Sequence, residues 1–550
     1  MIAEDFDKRE SSAPVSADRP LLKLEEDQLG YRAFAEVIAA GILNGVGPDG
    51  LVIALHGKWG AGKTSAVNMT IDVLERSQND RPVDNRAIVV HFNPWWFSEQ
   101  EDLVRAFFRE VSATLGTQVS SDVRDGFRKL AKRTSGATEL VAGLATLVGA
   151  GAAAKPIADA IRAFGEGVDG DSGLEEIRKE LSEALSKEQR QLIVVIDDVD
   201  RLPGDEARQI FRLVKSVADL PYVTYLLVFD RDIAARSLER TTDPEGPEWL
   251  EKIVQASFDL PPVGQADLNQ LLMMRLNKIV GSYEVSDMTR WGNILYGAVM
   301  PWLRSPRDVG RLSNAIAMLW PSLKEEVDFA DLLALETLRL FEPRLYEFLR
   351  TQNDRLTGAE PHRSDRRHLE AYGQKILSFV DEGKHERTKR ALCYLFPRLD
   401  AVFNNTWHGG DWRRAEKEKR IESSRRFAVY FDLGLDDGAI PATELPRIVS
   451  ALENSEAFRK LVEEFASQVR RSGGTRAPVL LDALSTEVQS ELNVDEKLAA
   501  RSLVEAGDFF LTDADGHRSP DGFPRLWSVY WVINPVLSRL DPHDIEDVIH

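Results

Sequence analysis

A glycine-rich turn between two periodic segments limits what this chain can fold into. LVIALH, residues 51–56, is a continuous apolar run of strand length, and the stretch beyond it sets Val67, Ile71 and Leu74 on one helical face. Between them GKWGAGKT places Gly57, Gly62, Lys63 and Thr64 in the G-x-x-x-x-G-K-[ST] template. Each residue type has a mechanical reason to be there. Glycines let the backbone curl until successive N–H groups point at phosphate oxygens, and the helix N-terminus adds partial positive charge. Lysine reaches the β- and γ-phosphates, and the threonine hydroxyl ligates Mg2+. The loop predicts a nucleotide site built from Gly57, Trp59, Gly60, Ala61, Gly62, Lys63, Thr64 and Ser65, with ATP and Mg2+ as cofactors.

Such a loop does not hydrolyse anything unaided. It needs a carboxylate for the metal and a group that orients the attacking water. LIVVIDDVDR, 192–201, offers both at the tip of a buried strand. Asp197 is the candidate metal ligand and Asp198 the candidate water-orienting base, with Asp200 and Arg201 following at the start of the loop. After the next apolar run comes FDRD, where Arg231 is a candidate γ-phosphate sensor or a surface ion-pair former. SPRDVGRLSNAI, 305–316, opens a helix with Ser305 as N-cap, Pro306 at the first position and Asp308 in the first turn. Arg307 and Arg311 lie four apart on that helix. Arg307 is the candidate for reaching the nucleotide, although surface salt bridges explain such a pair equally well.

The surrounding pattern predicts an α/β core. AIVVHF (87–92), QLIVVIDD (191–198), YVTYLLVF (222–229) and SFDL (257–260) read as further short strands separated by helical stretches. That alternation indicates a parallel sheet covered on both faces. At 550 residues the chain exceeds one core. The expected division is a polar tail over 1–20, a nucleotide-binding domain over 21–262 with a helical insertion at about 117–190, a helical lid over 263–345 and a helical C-terminal domain over 346–550. Apolar residues at 43% and charged residues at 29% fit a soluble globular protein, and the net charge of −20 is a poor field for nucleic acid. Cys393 is the single cysteine, which excludes disulfide frameworks and cysteine-based zinc sites. The segment MIAEDFDKRE has no apolar core, so no secretory signal is expected. LVAGLATLVGAGAAA, 140–154, is too short to span a bilayer and suits a small-residue helix packed against protein, with a re-entrant or membrane-surface segment as the alternative. The basic stretch WRRAEKEKRIESSRRF, 412–427, is interleaved with glutamates and reads as a solvated helix face, with nucleic-acid contact as the alternative; YWVINPVL (530–537) reads as helix core and His56 as packing.

One stretch stands apart. HFNPWWFSEQED, 91–102, carries an aromatic run after a proline, followed by Ser98 and Glu101 at capping-box spacing. Together GKWGAGKTS, FNPWWFS-x-x-EDL, the DD-x-DR strand end and PRD-x-x-R-L-x-N resemble a KAP-family P-loop NTPase over roughly residues 20–345. EKIVQASFDLPP and LLALETLRLFEPRLY are similar to that family too. The resemblance implies ATP hydrolysis and the additional-strand sheet order, with one strand between the Asp197 strand and the phosphate-loop strand. That order would bring Asn93 to Phe97 beside Asp197 and Asp198. Asn93 becomes a candidate for contact with water or phosphate, and the tryptophans a buttress for the acidic loop or a surface for a neighbouring subunit. Many family members insert membrane helices between the two nucleotide motifs. This chain has only the short Ala/Gly run there and so resembles the soluble bacterial branch. That branch is similar to phage-exclusion and multigene antiviral-defence ATPases, including one that accompanies a QueC-like protein and a TatD-like nuclease.

The expected function is therefore an ATPase, catalytic through Lys63, Asp198, Arg231 and Asn93, that drives or licenses a partner protein in antiphage defence. The alternative is a slow nucleotide-gated switch whose assembly responds to ATP. Expected partners are proteins of a multigene system and further copies of the chain, with at most indirect nucleic-acid contact, no stable membrane span and a cytoplasmic location.

Overall fold

Five short runs form five parallel strands, and the three at 51–56, 192–197 and 223–229 are apolar almost throughout because their side chains are needed on both faces of one sheet. A computed structural model of the chain describes residues 15, 19–45, 49–98, 102–133, 171–239, 253–283, 285, 287–357, 366–406, 412–435, 439–471, 473–489, 492–515 and 525–549. Within these, β1 (Leu51–His56), β2 (Ile88–Phe92), β3 (Leu192–Asp197), β4 (Val223–Phe229) and β5 (Ala256–Asp259) lie in the order β2-β3-β4-β1-β5. Every pairing is parallel. Val52, Ala54, Val194, Ile196, Tyr225 and Leu227 belong to one core. Their neighbours Ile53, Leu55, Ile193, Val195, Leu226 and Val228 belong to the other. A side-chain period of two sends successive residues to opposite faces, so strands covered on both sides are apolar throughout.

Helices close both faces. α1 (Arg32–Gly45) and α2 (Lys63–Ser77) contribute Ile38, Ile42, Val67 and Ile71 to one core. α3 (Leu103–Leu115), α4 (Ser121–Arg133), α5 (Asp171–Glu188) and α6 (Gly204–Val217) contribute Phe107, Phe127, Leu181 and Phe211 to the other. α7 (Arg231–Glu239) follows β4. The fold is an α/β P-loop type of the additional-strand order, since β4 stands between β3 and β1. The expected position of the aromatic run follows: β2 is the edge strand and pairs in register with β3, Phe92 opposite Ile196.

Two local expectations change. Ser98 does not cap the helix after the aromatic run. Asp102 does, accepting the N–H groups of Val104 and Arg105, while the Ser98 hydroxyl donates to Glu206 at 2.6 Å. An aspartate directly before the apolar run caps as well as serine does, and the choice between them depends on a partner 108 residues away. The Ala/Gly run 140–154 and most of the polar tail lie outside the described residues. Among the described residues no helix is long and apolar enough to cross a membrane.

The chain divides into two compact units, one comprising Ala17–Leu271 with Ser305–Gly310, the other Met1–Ser16, Leu272–Arg304 and Arg311–His550. α8 (Pro306–Leu323) opens as expected: the Asp308 carboxylate accepts the Ser305 N–H at 3.0 Å, and the Ser305 hydroxyl accepts the Asp308 N–H at 3.2 Å. In the second unit, α9 (Phe329–Phe341) is buried along most of its length. The stretch 412–427 is not one solvated face. It forms a short helix, Trp412–Lys417, and the start of α10 (Ser424–Asp432). Arg426, in that first turn of α10, carries two buried ion pairs, 2.6 Å to Glu326 and 3.3 Å to Glu416. Alternating charges have the same linear pattern whether they face water or each other, so only packing separates the cases. In α11 (Arg525–Leu537), Val532 and Val536 join the C-terminal core, but Tyr530 and Trp531 remain about half exposed.

A buried carboxylate pair in this unit makes stability pH-dependent. Asp328 caps α9 by accepting the Asp331 N–H at 3.0 Å, and Asp331 pairs with Arg290 while accepting the Ile421 N–H at 2.9 Å. Burial, and then the Asp331 charge, push the Asp328 carboxyl up to about 7, against the pull of Arg290 and Arg420. A carboxyl raised above its unfolded value of about 4 favours the fold below that pH and loses the contribution as pH rises through 7. Asp328→Asn keeps the cap but cannot ionise. Melting curves are expected to show wild type losing stability relative to this variant between pH 5 and pH 8. Parallel pH profiles would show that Asp328 is not the titrating group.

Candidate active site

The phosphate loop owes its shape to two glycines. Gly60 and Gly62 have φ of +80° and +96°, a region that costs other residues strain. A Cβ at Gly60 would stand 3.1 Å from the Arg307 side chain, and one at Gly62 would stand 3.3 Å from the Tyr31 ring. The Tyr31 hydroxyl donates to the Ala61 carbonyl at 2.6 Å, which pins the turn from the residue just ahead of α1. Lys63 donates to the Gly57 carbonyl at 3.0 Å and is nine-tenths buried. Ser65 has a different contact: its hydroxyl accepts the Leu21 N–H at 3.0 Å. The Trp59 ring is 65% exposed with the Arg307 guanidinium 5.5 Å over it, so the first turn of α8 lies against the loop.

Facing the loop, the end of β3 gathers the acidic residues. The Thr64 hydroxyl donates to Asp197 at 2.8 Å, and the Asp198 N–H donates to the other Asp197 oxygen at 2.8 Å. Burial, reinforced by the Asp198 charge, pushes the Asp197 carboxyl up to about 6. A hydroxyl and a buried, mutually repelled carboxylate converging in this way fit a divalent cation, which would relieve that repulsion. Asp198 leaves the strand in the left-handed region at φ 61°, a conformation costing a non-glycine residue about 1 kcal/mol. Both its oxygens are engaged: Asn93 Nδ2 donates to one at 2.9 Å, and Arg201 Nε lies 2.8 Å from the other.

The aromatic run divides by role. The Asn93 side chain also accepts the Trp95 N–H at 3.1 Å, which shapes the turn Pro94–Trp96. Phe97 stacks on Phe92 at 5.7 Å, and Phe92 meets Phe107 edge-on at 5.3 Å, anchoring the turn in the core. Trp95 instead lies under the Arg201 guanidinium at 5.3 Å, and Trp95 and Trp96 are 49% and 69% exposed.

Asp200, Asp230, Arg201 and Tyr31 are parts of this constellation to which the sequence alone assigns no role. Asp200 lies 3.5 Å from the Lys63 ammonium. Asp230 accepts the Trp59 N–H at 3.1 Å and caps α7 through the N–H groups of Asp232 and Ile233. The signal is present for the first two, as acidic residues near strand ends, but nothing along the chain says which loop residue each will meet. Arg231 sits exposed at the start of α7. Arg311 belongs to the second unit, its guanidinium 5.8 Å over the Phe341 ring. His56 is buried edge-on to Phe229 at 4.7 Å.

The family described as KAP family P-loop domain matches residues 31–323. The Phage T7 exclusion protein of Escherichia coli (strain K12) is 29% identical over 532 residues, covering 87% of this chain and 68% of that protein. Among solved structures, the ORC2 protein of Aeropyrum pernix is similar with a TM-score of 0.33 and 14% identity, covering 78% of this chain and 91% of its own. Cdc6p of Pyrobaculum aerophilum is similar with a TM-score of 0.33 and 13% identity, covering 69% and 86%. The fold rests on the strand order rather than on these loose likenesses.

Proposed function

We propose that this chain, which belongs to the KAP family of P-loop NTPases, hydrolyses ATP with Mg2+ and uses the turnover to drive a partner protein in antiphage defence. The observation that carries the enzymatic part is the 2.8 Å hydrogen bond from Thr64 to Asp197, which joins the two candidate metal ligands across 133 residues of sequence. Lys63 would neutralise the β- and γ-phosphates while the backbone N–H groups of the glycine loop hold them. Asp198 would accept a hydrogen bond from the attacking water, oriented by Asn93. Bound Mg2+, held by Thr64 and Asp197, would offset negative charge developing on the phosphoryl oxygens. Arg307, beside Gly60, is suited to the nucleotide, and exposed Arg231 to sensing the phosphate. The defence role draws on the relative named for phage T7 exclusion.

A slow nucleotide-gated switch is the second reading, favoured by the engagement of both Asp198 oxygens by Asn93 and Arg201. One experiment separates the two. Phosphate release by the full chain is measured with ATP and Mg2+, then with the metal chelated, beside the oligomeric state with ADP and with a non-hydrolysable analogue. Metal-dependent release well above background is expected. Assembly on the analogue with release near background would favour the switch. Release that is indifferent to chelation would overturn the proposed site.

A further inference from the structure

We infer that Asp200 is a positioning residue that sets nucleotide affinity by competing with phosphate for the Lys63 ammonium group. The inference rests on the nucleotide-site reading and deepens it. Asp200 lies on the single turn Val199–Arg201 and is 7% exposed; Lys63 is 9% exposed, with 3.5 Å between Nζ and Oδ2. The same Oδ2 accepts the Asp230 N–H at 3.0 Å. The Asp230 side chain in turn accepts the Trp59 N–H, so the ammonium, two carboxylates and the phosphate-loop backbone form one connected network.

The burial gives this network its consequence. A lysine that moves onto phosphate must exchange one anion for another. In water that exchange is nearly neutral. Here the carboxylate left behind is desolvated and its cation is drawn off, which opposes binding. The Lys63–Asp200 pair therefore holds Lys63 in order at the cost of affinity, and Asp200 passes the loss of its cation to the β4–α7 junction through the Asp230 N–H.

Asp200→Asn removes the charge yet keeps an acceptor for the Asp230 N–H. Calorimetric titration of the full chain with Mg2+ and ADP, and with a non-hydrolysable ATP analogue, is expected to show about tenfold tighter binding in the variant. A merely structural role predicts weaker or unchanged binding. Loss of any nearby negative charge would also tighten binding, so the variant is repeated in a Lys63→Met background at millimolar nucleotide. There the gain should vanish, because the ion pair no longer exists to be broken. Should Asp200→Asn not fold, Asp200→Ser is read in the same way. Unchanged or weaker binding in a variant of normal melting temperature overturns the inference alone, and so does a gain that persists with Lys63→Met. A wild-type chain that binds no nucleotide overturns the site reading as well.

Discussion

Lys63→Ala is expected to reduce ATP turnover about a thousandfold, to background, and to weaken nucleotide binding as well. Two physical effects combine. On the proposed mechanism the ammonium is the charge that the loop would supply to the β- and γ-phosphates, and the Gly57 carbonyl accepts a hydrogen bond from it at 3.0 Å. Its removal also leaves Asp200 buried without that cation, destabilising the fold by on the order of 2 kcal/mol. The two effects separate cleanly. A Lys63→Ala, Asp200→Asn double variant should recover melting temperature without recovering turnover, since it removes the stranded charge but restores no phosphate ligand. Turnover persisting in Lys63→Ala would mean that phosphate is released elsewhere in the molecule. A melting temperature equal to wild type would mean that the 3.5 Å pair contributes nothing.

Asp198→Asn is expected to lower kcat about 100- to 1,000-fold while changing nucleotide affinity only a few-fold. The side chain keeps its shape, so the left-handed turn at φ 61° and the neighbouring Asp197 geometry should persist. What is lost, on the proposed mechanism, is the charge that would polarise the water. The neutral amide also loses the charge-assisted pair with Arg201, which frees a guanidinium stacked on an exposed tryptophan. Pre-steady-state phosphate release with wild-type Kd for ADP would locate the defect in the chemical step. An equal loss in kcat and in ADP affinity would instead assign Asp198 to nucleotide binding, and an unchanged kcat would remove it from the mechanism.

The residues behind these two expectations differ in how plainly the chain itself announces them. Lys63 and Thr64 belong to a contiguous loop whose chemistry is local: glycine φ freedom, a helix N-terminus and a lysine at fixed spacing. The strands are equally legible, because burial on both faces forces unbroken apolar runs, and β3 and β4 fall within a residue or so of their predicted bounds. The division of HFNPWWFSEQED is not legible. Phe97 turns into the core, Trp95 lies under Arg201, and Trp96 faces out, although all three are neighbours in an aromatic run. Burial there depends on what each residue meets, and aromatic composition is the same in each case.

The linear order of residues is enough to place a phosphate-binding loop between a strand and a helix, and to end a second buried strand in acidic residues. Which acid serves which partner is settled by folding. Asn93 meets Asp198 across 105 residues, and Trp59 meets Asp230 across 171. Lys63 rests on Asp200, the one acid of DD-x-D to which its place along the chain assigns no role. The reason is geometric. A parallel sheet brings all its strand ends to one edge, so neighbours there are set by the order β2-β3-β4-β1-β5, a property of packing that no spacing along the chain encodes.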